Sequence, residues 1–137
     1  MSERLISYRG VVQQWQCDHL GHLNTRYYMA FFDEAMQTMF HLLGYTRQTG
    51  FGWADVKHEI EYKDELEPGT IVHVDAGIIR VGGKSLSYQQ RLISSDDGRI
   101  CAINNAVTVL LDTSERAAVT LPDAIRENAK KYLIENS

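Results

Sequence analysis

Trp15-Gln16-Cys17-Asp18-His19-Leu20-Gly21-His22-Leu23-Asn24-Thr25-Arg26-Tyr27-Tyr28 is the stretch on which the reading of this chain turns. It sets an acid, two histidines and an amide side chain between a β-like run and a helical one. Upstream, Leu5 to Trp15 is rich in β-branched and aromatic residues (Ile6, Tyr8, Val11, Val12, Trp15) and reads as a first strand. Downstream, Asn24 is a good helix N-cap. Behind it Tyr28, Phe31, Phe32, Ala35, Met39, Leu42 and Leu43 recur at helical spacing, which predicts a helix from about Thr25 to Leu43, stopped by Gly44. A helix this apolar on one face needs a sheet to lie against.

Working outward, 46–53 reads as a polar loop, and four strand-like runs follow. Ala54 to Leu66 alternates, with Val56, His58, Ile60 and Tyr62 on one face. Glu67-Pro68-Gly69-Thr70 is a turn, then comes Ile71 to Val81, closed by Gly82-Gly83. Lys84 to Ser94 puts Leu86, Tyr88, Gln90 and Leu92 on one face. Asp96-Asp97-Gly98 is a hairpin signal, and Arg99 to Leu111 is the last strand, with Cys101, Ile103, Asn105, Val107 and Val109 alternating. Pro122 opens a short C-terminal helix over Ala124 to Ile134. No repeat or Pro/Ser-rich linker divides the chain. The expectation is one α+β domain over residues 1–137, a mostly antiparallel sheet with one long helix on one face.

Composition bounds the function. The 137 residues fit one compact domain, and 44% apolar with 23% charged residues is the balance of a globular protein. The net charge of −4, without any Lys/Arg run, argues against a nucleic-acid surface. Cys17 and Cys101 form no metal-ligand spacing. No apolar run approaches the roughly 18 residues that span a bilayer, and Met1-Ser2-Glu3-Arg4 lacks the apolar stretch of a signal peptide. A cytoplasmic location is the expectation.

The chemistry concentrates in the loop. The first N–H groups of the helix have no backbone partner, and with the helix dipole they form an anion site. A thioester carbonyl placed there would be polarised and its oxyanion stabilised. Asp18 stands close enough in sequence to attack that carbonyl or to activate a water. The plainer readings are a turn or capping role for Asp18, a cap for Asn24 and a loop-shaping bond for His22. Asp18, His19 and His22 lack a fourth residue at recognisable metal spacing.

Asp18-x-x-Gly21-His22-x-Asn24-x-x-Tyr27-Tyr28, followed by an aromatic-rich helix with Asp33-Glu34-Ala35, resembles the hydroxybenzoyl-CoA thioesterase-like branch of the hotdog superfamily. So do His58 to Gly69, Gly83-Lys84-Ser85-Leu86-Ser87-Tyr88, and Val107 to Leu111 with Asp112. The resemblance implies a hotdog fold, a curved antiparallel sheet of about five strands wrapped around a long central helix, with a C-terminal helix added. It implies hydrolysis of an acyl-CoA without a metal or other cofactor, in a homodimer or homotetramer with sites at the subunit interface. Asp18 matches the nucleophile or general base, and Gly21 the residue that lets substrate approach. His22 and Asn24 match loop-fixing positions, with the amides around Asn24 and Thr25 as oxyanion donors. Tyr27 matches an aromatic of the acyl pocket, and Glu34 is a second acidic candidate. His58 and Ser85 are substrate-contact candidates, and Lys84, with Arg80 or Arg91, a candidate for the CoA phosphates. Two other readings remain: a hydratase or dehydratase pairing Asp18 with His22, although no Asn-Pro follows the aspartate, and a non-catalytic acyl- or CoA-binding protein.

Overall fold

The computed structural model describes residues 3–134; Met1 and Ser2 of the leader reading, and the last three residues of the 1–137 domain, lie outside it. Six strands and two α-helices run in the order β1 (Leu5–Val11), α1 (Thr25–Leu42), β2 (Phe51–Tyr62), β3 (Ile71–Val81), β4 (Ser85–Ser94), β5 (Ile100–Asp112), β6 (Ala117–Ala118) and α2 (Asp123–Lys130). The strands form one antiparallel sheet in the order β1-β3-β4-β5-β2, with β6 pairing the end of β5.

Side-chain period explains which face is inside. Val72, Val74, Ala76 and Ile78 of β3 and Leu86, Tyr88, Gln90 and Leu92 of β4 alternate onto one face and are fully buried. On β5 the inward set is Ala102, Asn104, Ala106, Thr108 and Leu110; of the residues read as alternating, Ile103, Asn105, Val107 and Val109 lie on the opposite, half-buried face, and only Cys101 is buried. Against this face lies the 18-residue α1, packed over β1, β3 and β4. Its buried stripe is Tyr28, Phe31, Phe32, Ala35, Met36, Met39 and Phe40. Leu42, read as part of the stripe, is instead half exposed. The core divides along the helix into a half around Phe32, Leu66 and Ala102 and a half around Phe40, Tyr88 and Leu110.

Several boundaries differ from expectation. β1 stops at Val11, and Gln14–Gln16 forms a single 3₁₀ turn leading into the loop. β2 begins at Phe51, inside the stretch read as loop, because Phe51, Gly52 and Trp53 pair with Asp112, Leu111 and Leu110. The two-residue β6 is a sixth strand, too short for any pattern to announce. α2 ends at Lys130, not Ile134; the chain then turns back to the sheet, where Ile78 N–H donates to Tyr132 O at 2.9 Å and Ile134 N–H to Ile78 O at 2.8 Å. This tail continues the edge of β3 beyond Leu5, and Gly77 has no side chain because Ile134 occupies that space.

A bulge between Asp55 and Lys57 shifts the register of β2 against β5. Val56, expected on the face of His58, is the displaced residue and is 62% exposed. The extra residue brings Asp55 onto the His58 face instead, with Asp55 Oδ2 3.1 Å from His58 Nε2.

Tyr28 ties the first turn of α1 to the end of β2. Its ring meets Tyr62 edge-on at 5.1 Å and its hydroxyl donates to Asp64 O at 3.1 Å. Burial pushes its phenol up to about 12. Above pH 10 the unfolded chain releases this proton while the folded chain holds it. The stabilisation is therefore complete below pH 10 and lost as pH rises toward 12. Denaturant midpoints measured from pH 9 to 12 should fall, and Tyr28→Phe should make the fall shallower.

Candidate active site

The loop between β1 and α1 is closed on itself. Asp18 N–H donates to His22 O at 2.9 Å and Gly21 N–H to Asp18 O at 3.0 Å, and Cys17 bridges Leu23. The reversal needs a left-handed residue, and Gly21 supplies it at φ 80°. Both ends are pinned: Leu23 N–H donates to Leu66 O at 2.8 Å and Asn24 N–H to Gln16 O at 2.9 Å. Asp18 Oδ1 accepts from Leu20 N–H at 2.9 Å, which orients the carboxylate. Its other oxygen has no protein partner among the described residues. Trp15 and Leu20 are both 68% exposed, while Asp18 itself is half-buried.

At the helix start Asn24 is a cap, its Oδ1 accepting from Arg26 N–H at 3.1 Å. Of the two amides expected as oxyanion donors, that of Asn24 is thus already bonded to Gln16. The Thr25 N–H has no acceptor among the described residues, and the dipole of α1 adds to it. His22 turns away from Asp18: its Nε2 lies 3.2 Å from Glu65 Oε2. Behind it Arg99 bonds Asp64 at 2.8 Å and Asp97 at 2.7 Å, and holds both carboxyls below their ordinary range. The geometry gives His22 and Asn24 loop-holding contacts. His19 is exposed.

Tyr27 stands edge-on to Trp15 at 5.4 Å, with the Arg26 guanidinium 4.9 Å from its ring centre. Both aromatics line a cleft of about 460 Å³ between β1 and α1, with Tyr8, Phe31 and Glu34. Glu34 lies about 15 Å along the helix from the cap. Burial first, and the Glu34 carboxylate second, hold the Tyr8 phenol above its ordinary value. Trp15 and Gln16, just ahead of the loop, line this cleft with Glu34, whereas Asp18 is not among its lining residues.

The remaining candidates are not gathered here within one chain. The loop end of the sheet is where Leu23, Leu66, Cys101 and Ala102 pack. Ser85 pairs with Val109, seven residues along β5 from Ala102 and so about 23 Å away. Lys84 is exposed beside it in the β3–β4 turn. His58 pairs with Ala106, between the two ends. Arg91 is committed to the buried Asp75, to which Arg4 also reaches, so it is not a free cation for phosphate. Sequence reasoning did not find Gln16, which anchors the loop, or the partners of His58: Asp55 is hidden by the bulge, and Gln90 and Asn104 look like ordinary alternating strand residues.

No helix among the described residues is long and apolar enough to cross a membrane. A family model described as the thioesterase-like superfamily matches residues 11–129. No curated protein sequence matches the chain. Among solved structures, a Staphylococcus aureus protein in complex with CoA superposes with a TM-score of 0.87 at 15% identity, over 100% of this chain and 90% of that one. A gentisyl-coenzyme A thioesterase gives 0.80 at 21%, over 89% and 98%. A 1,4-dihydroxy-2-naphthoyl-CoA thioesterase from Synechocystis gives 0.81 at 14%, over 93% and 96%.

Proposed function

The chain belongs to the thioesterase-like superfamily, and from that premise we propose that it hydrolyses an acyl-CoA to the free acid and CoA, with Asp18 as nucleophile or general base. The observation that carries this reading is the pinned loop: just before a helix whose Thr25 N–H has no acceptor among the described residues, it holds a carboxylate whose second oxygen has no partner among them either. As general base, Asp18 takes a proton from water while the water oxygen adds to the thioester carbon. As nucleophile, its own oxygen adds and water later cleaves the anhydride. In both routes the carbonyl oxygen gains negative charge facing Thr25 N–H and the positive end of α1. Collapse breaks the C–S bond and the CoA sulfur leaves as thiolate, to be protonated. Neither route needs a cofactor. Similar structures whose names carry CoA or CoA-ester hydrolysis support a CoA ester as substrate.

On this reading the whole chain is one hotdog domain, the sheet curling about α1, and the working unit is a homodimer or a homotetramer. Support for the dimer comes from β2, a 12-residue strand whose one strand neighbour among the described residues is β5, with Phe51, Val56 and Tyr62 exposed along it. Such an edge invites a second strand, and two-fold antiparallel pairing of β2 would bring the far end of one sheet to the loop end of the other. That pairing is how Lys84, Ser85 and His58 would reach an Asp18 site. The test is thiol release from a panel of acyl-CoAs of graded length and polarity by the purified protein. Release from one class names the substrate; silence across the panel, with enoyl-CoA hydration present, would replace the hydrolase reading by a hydratase.

A further inference from the structure

Four aromatic side chains and one carboxylate line the cleft of about 460 Å³ between β1 and α1: Tyr8, Trp15, Tyr27, Phe31 and Glu34. Sequence spacing brings them there. Tyr27, Phe31 and Glu34 stand three to four residues apart and so share one face of α1. Ala30, on the same face, contributes a single methyl group and leaves a hollow between the larger side chains. Opposite it, Tyr8 and Gly10 are two residues apart on β1 and share a face of that strand. A Cβ at Gly10 would lie 2.8 Å from the Tyr8 ring, so the ring is laid along the strand. The rings meet in pairs, Tyr8 with Phe31 at 5.5 Å and Trp15 with Tyr27 at 5.4 Å. Phe31 is buried at the floor, and Trp15, 68% exposed, stands within reach of a ligand from solvent.

The charge of the cleft is one-sided. Glu34 is exposed, and none of the ion pairs among the described residues includes it. No Lys, Arg or His lines the cleft. Arg26, whose guanidinium lies 4.9 Å from the Tyr27 ring centre, is not among the lining residues. The faces of aromatic rings are electron-rich, and the carboxylate adds a full negative charge beside them. Both attract a cation, and the rings favour one whose charge is wrapped in apolar groups. An anion would be repelled by both, and a hydrocarbon chain would gain nothing from Glu34. A primary ammonium brings three N–H donors and a strongly held water shell, whereas a methylated nitrogen presents carbon to the rings.

We propose that this cleft is a binding site for a small methylated ammonium cation, its methyl groups against the rings of Tyr8, Trp15, Tyr27 and Phe31 and its charge balanced by Glu34. The inference goes beyond the thioesterase reading and does not depend on it. A volume of about 460 Å³ is in the range of small-ligand pockets. With several rings each contributing modestly at a partly exposed site, a Kd of about 1 mM is expected for a minimal ligand.

The probes are choline and its uncharged isostere dimethylbutanol, which has carbon in place of the nitrogen. Titrated with the purified protein, choline should show its N-methyl proton resonance moving upfield in the ring currents of the cleft. The isostere should bind about 10-fold more weakly. Trp15→Leu and Glu34→Gln should each weaken choline by about 3- to 10-fold. Both side chains are exposed, so both variants should fold, with circular dichroism as the control. Equal binding of the two probes to wild type overturns the proposal and makes the cleft an apolar pocket. Choline binding that survives both substitutions overturns it by placing the cation elsewhere. No shift of the choline resonance at protein concentrations of about 1 mM overturns it as well. None of these readouts involves thiol release, so they leave the hydrolase reading to its own assay.

Discussion

Asp18→Asn should lower turnover of the best acyl-CoA by about 10²- to 10⁴-fold, the contribution expected of a positioned acid–base group. The substitution is nearly isosteric. Asn Oδ1 keeps the bond from Leu20 N–H that now holds the carboxylate, and the backbone bonds to His22 O and from Gly21 N–H do not involve the side chain. The loop, the cap and the oligomer should be unchanged. The charge and basicity are lost, and an amide can neither accept a proton from water nor serve as an effective nucleophile. A fall in kcat with KM little changed is the expected split, since the lost interaction acts mainly in the transition state. Steady-state thiol release, with size-exclusion and circular dichroism as controls, measures it. Near-wild-type turnover in a well-folded variant would move the chemistry to Glu34, the carboxylate that lines the cleft between β1 and α1.

The largest loss of stability is expected at Phe32. Its side chain is fully buried in the cluster with Leu66, Val72, Val74, Leu92 and Ala102. Phe32→Ala would remove most of a large ring from between α1 and the centre of the sheet, and neighbours held by strand pairing can close only part of the gap. A cost of about 3–5 kcal/mol follows, measured as a lower denaturant midpoint. Because the Phe32 carbonyl also accepts from Gln90 Nε2 at 2.8 Å, and Gln90 Oε1 from Asn104 Nδ2 at 2.9 Å, the shift of α1 into the cavity should disturb these buried bonds as well. A loss below about 1 kcal/mol would mean that the helix is less firmly seated than its buried stripe implies.

Much of this architecture was legible because period is a strong signal. The stripe of α1, the alternation of β4 and the Asn24 cap were all readable from spacing, and so was the Asp18-to-Asn24 segment as a strand-to-helix loop; on β5 the apolar run Ile103, Val107 and Val109 pointed to the wrong face, because the buried set carries Asn104 and Thr108. What was hidden depends on contacts distant in sequence. The bulge at Val56 inverts which of Asp55 and Val56 shares a face with His58, and no local pattern marks it. β2 starts at Phe51 because Asp112 and Leu111 lie opposite, a pairing of segments about sixty residues apart. The use of the Asn24 amide by Gln16, and of Arg91 by Asp75, likewise follows from tertiary placement. The roles of Asp18, Glu34, Tyr27, His58, Lys84 and Ser85 stay with the experiments above.

The segment that returns after α2 has a consequence for how the molecule behaves at high concentration. β1 is too short to cover β3, and from Gly77 onward the edge of β3 would offer free N–H and C=O groups to any extended chain. Tyr132 to Ile134 take the Ile78 groups for themselves, so a few residues act as a stopper. The sheet is thereby sealed at this point against open-ended stacking into fibres, while β2, on the opposite side, keeps an edge long enough for a single matched copy.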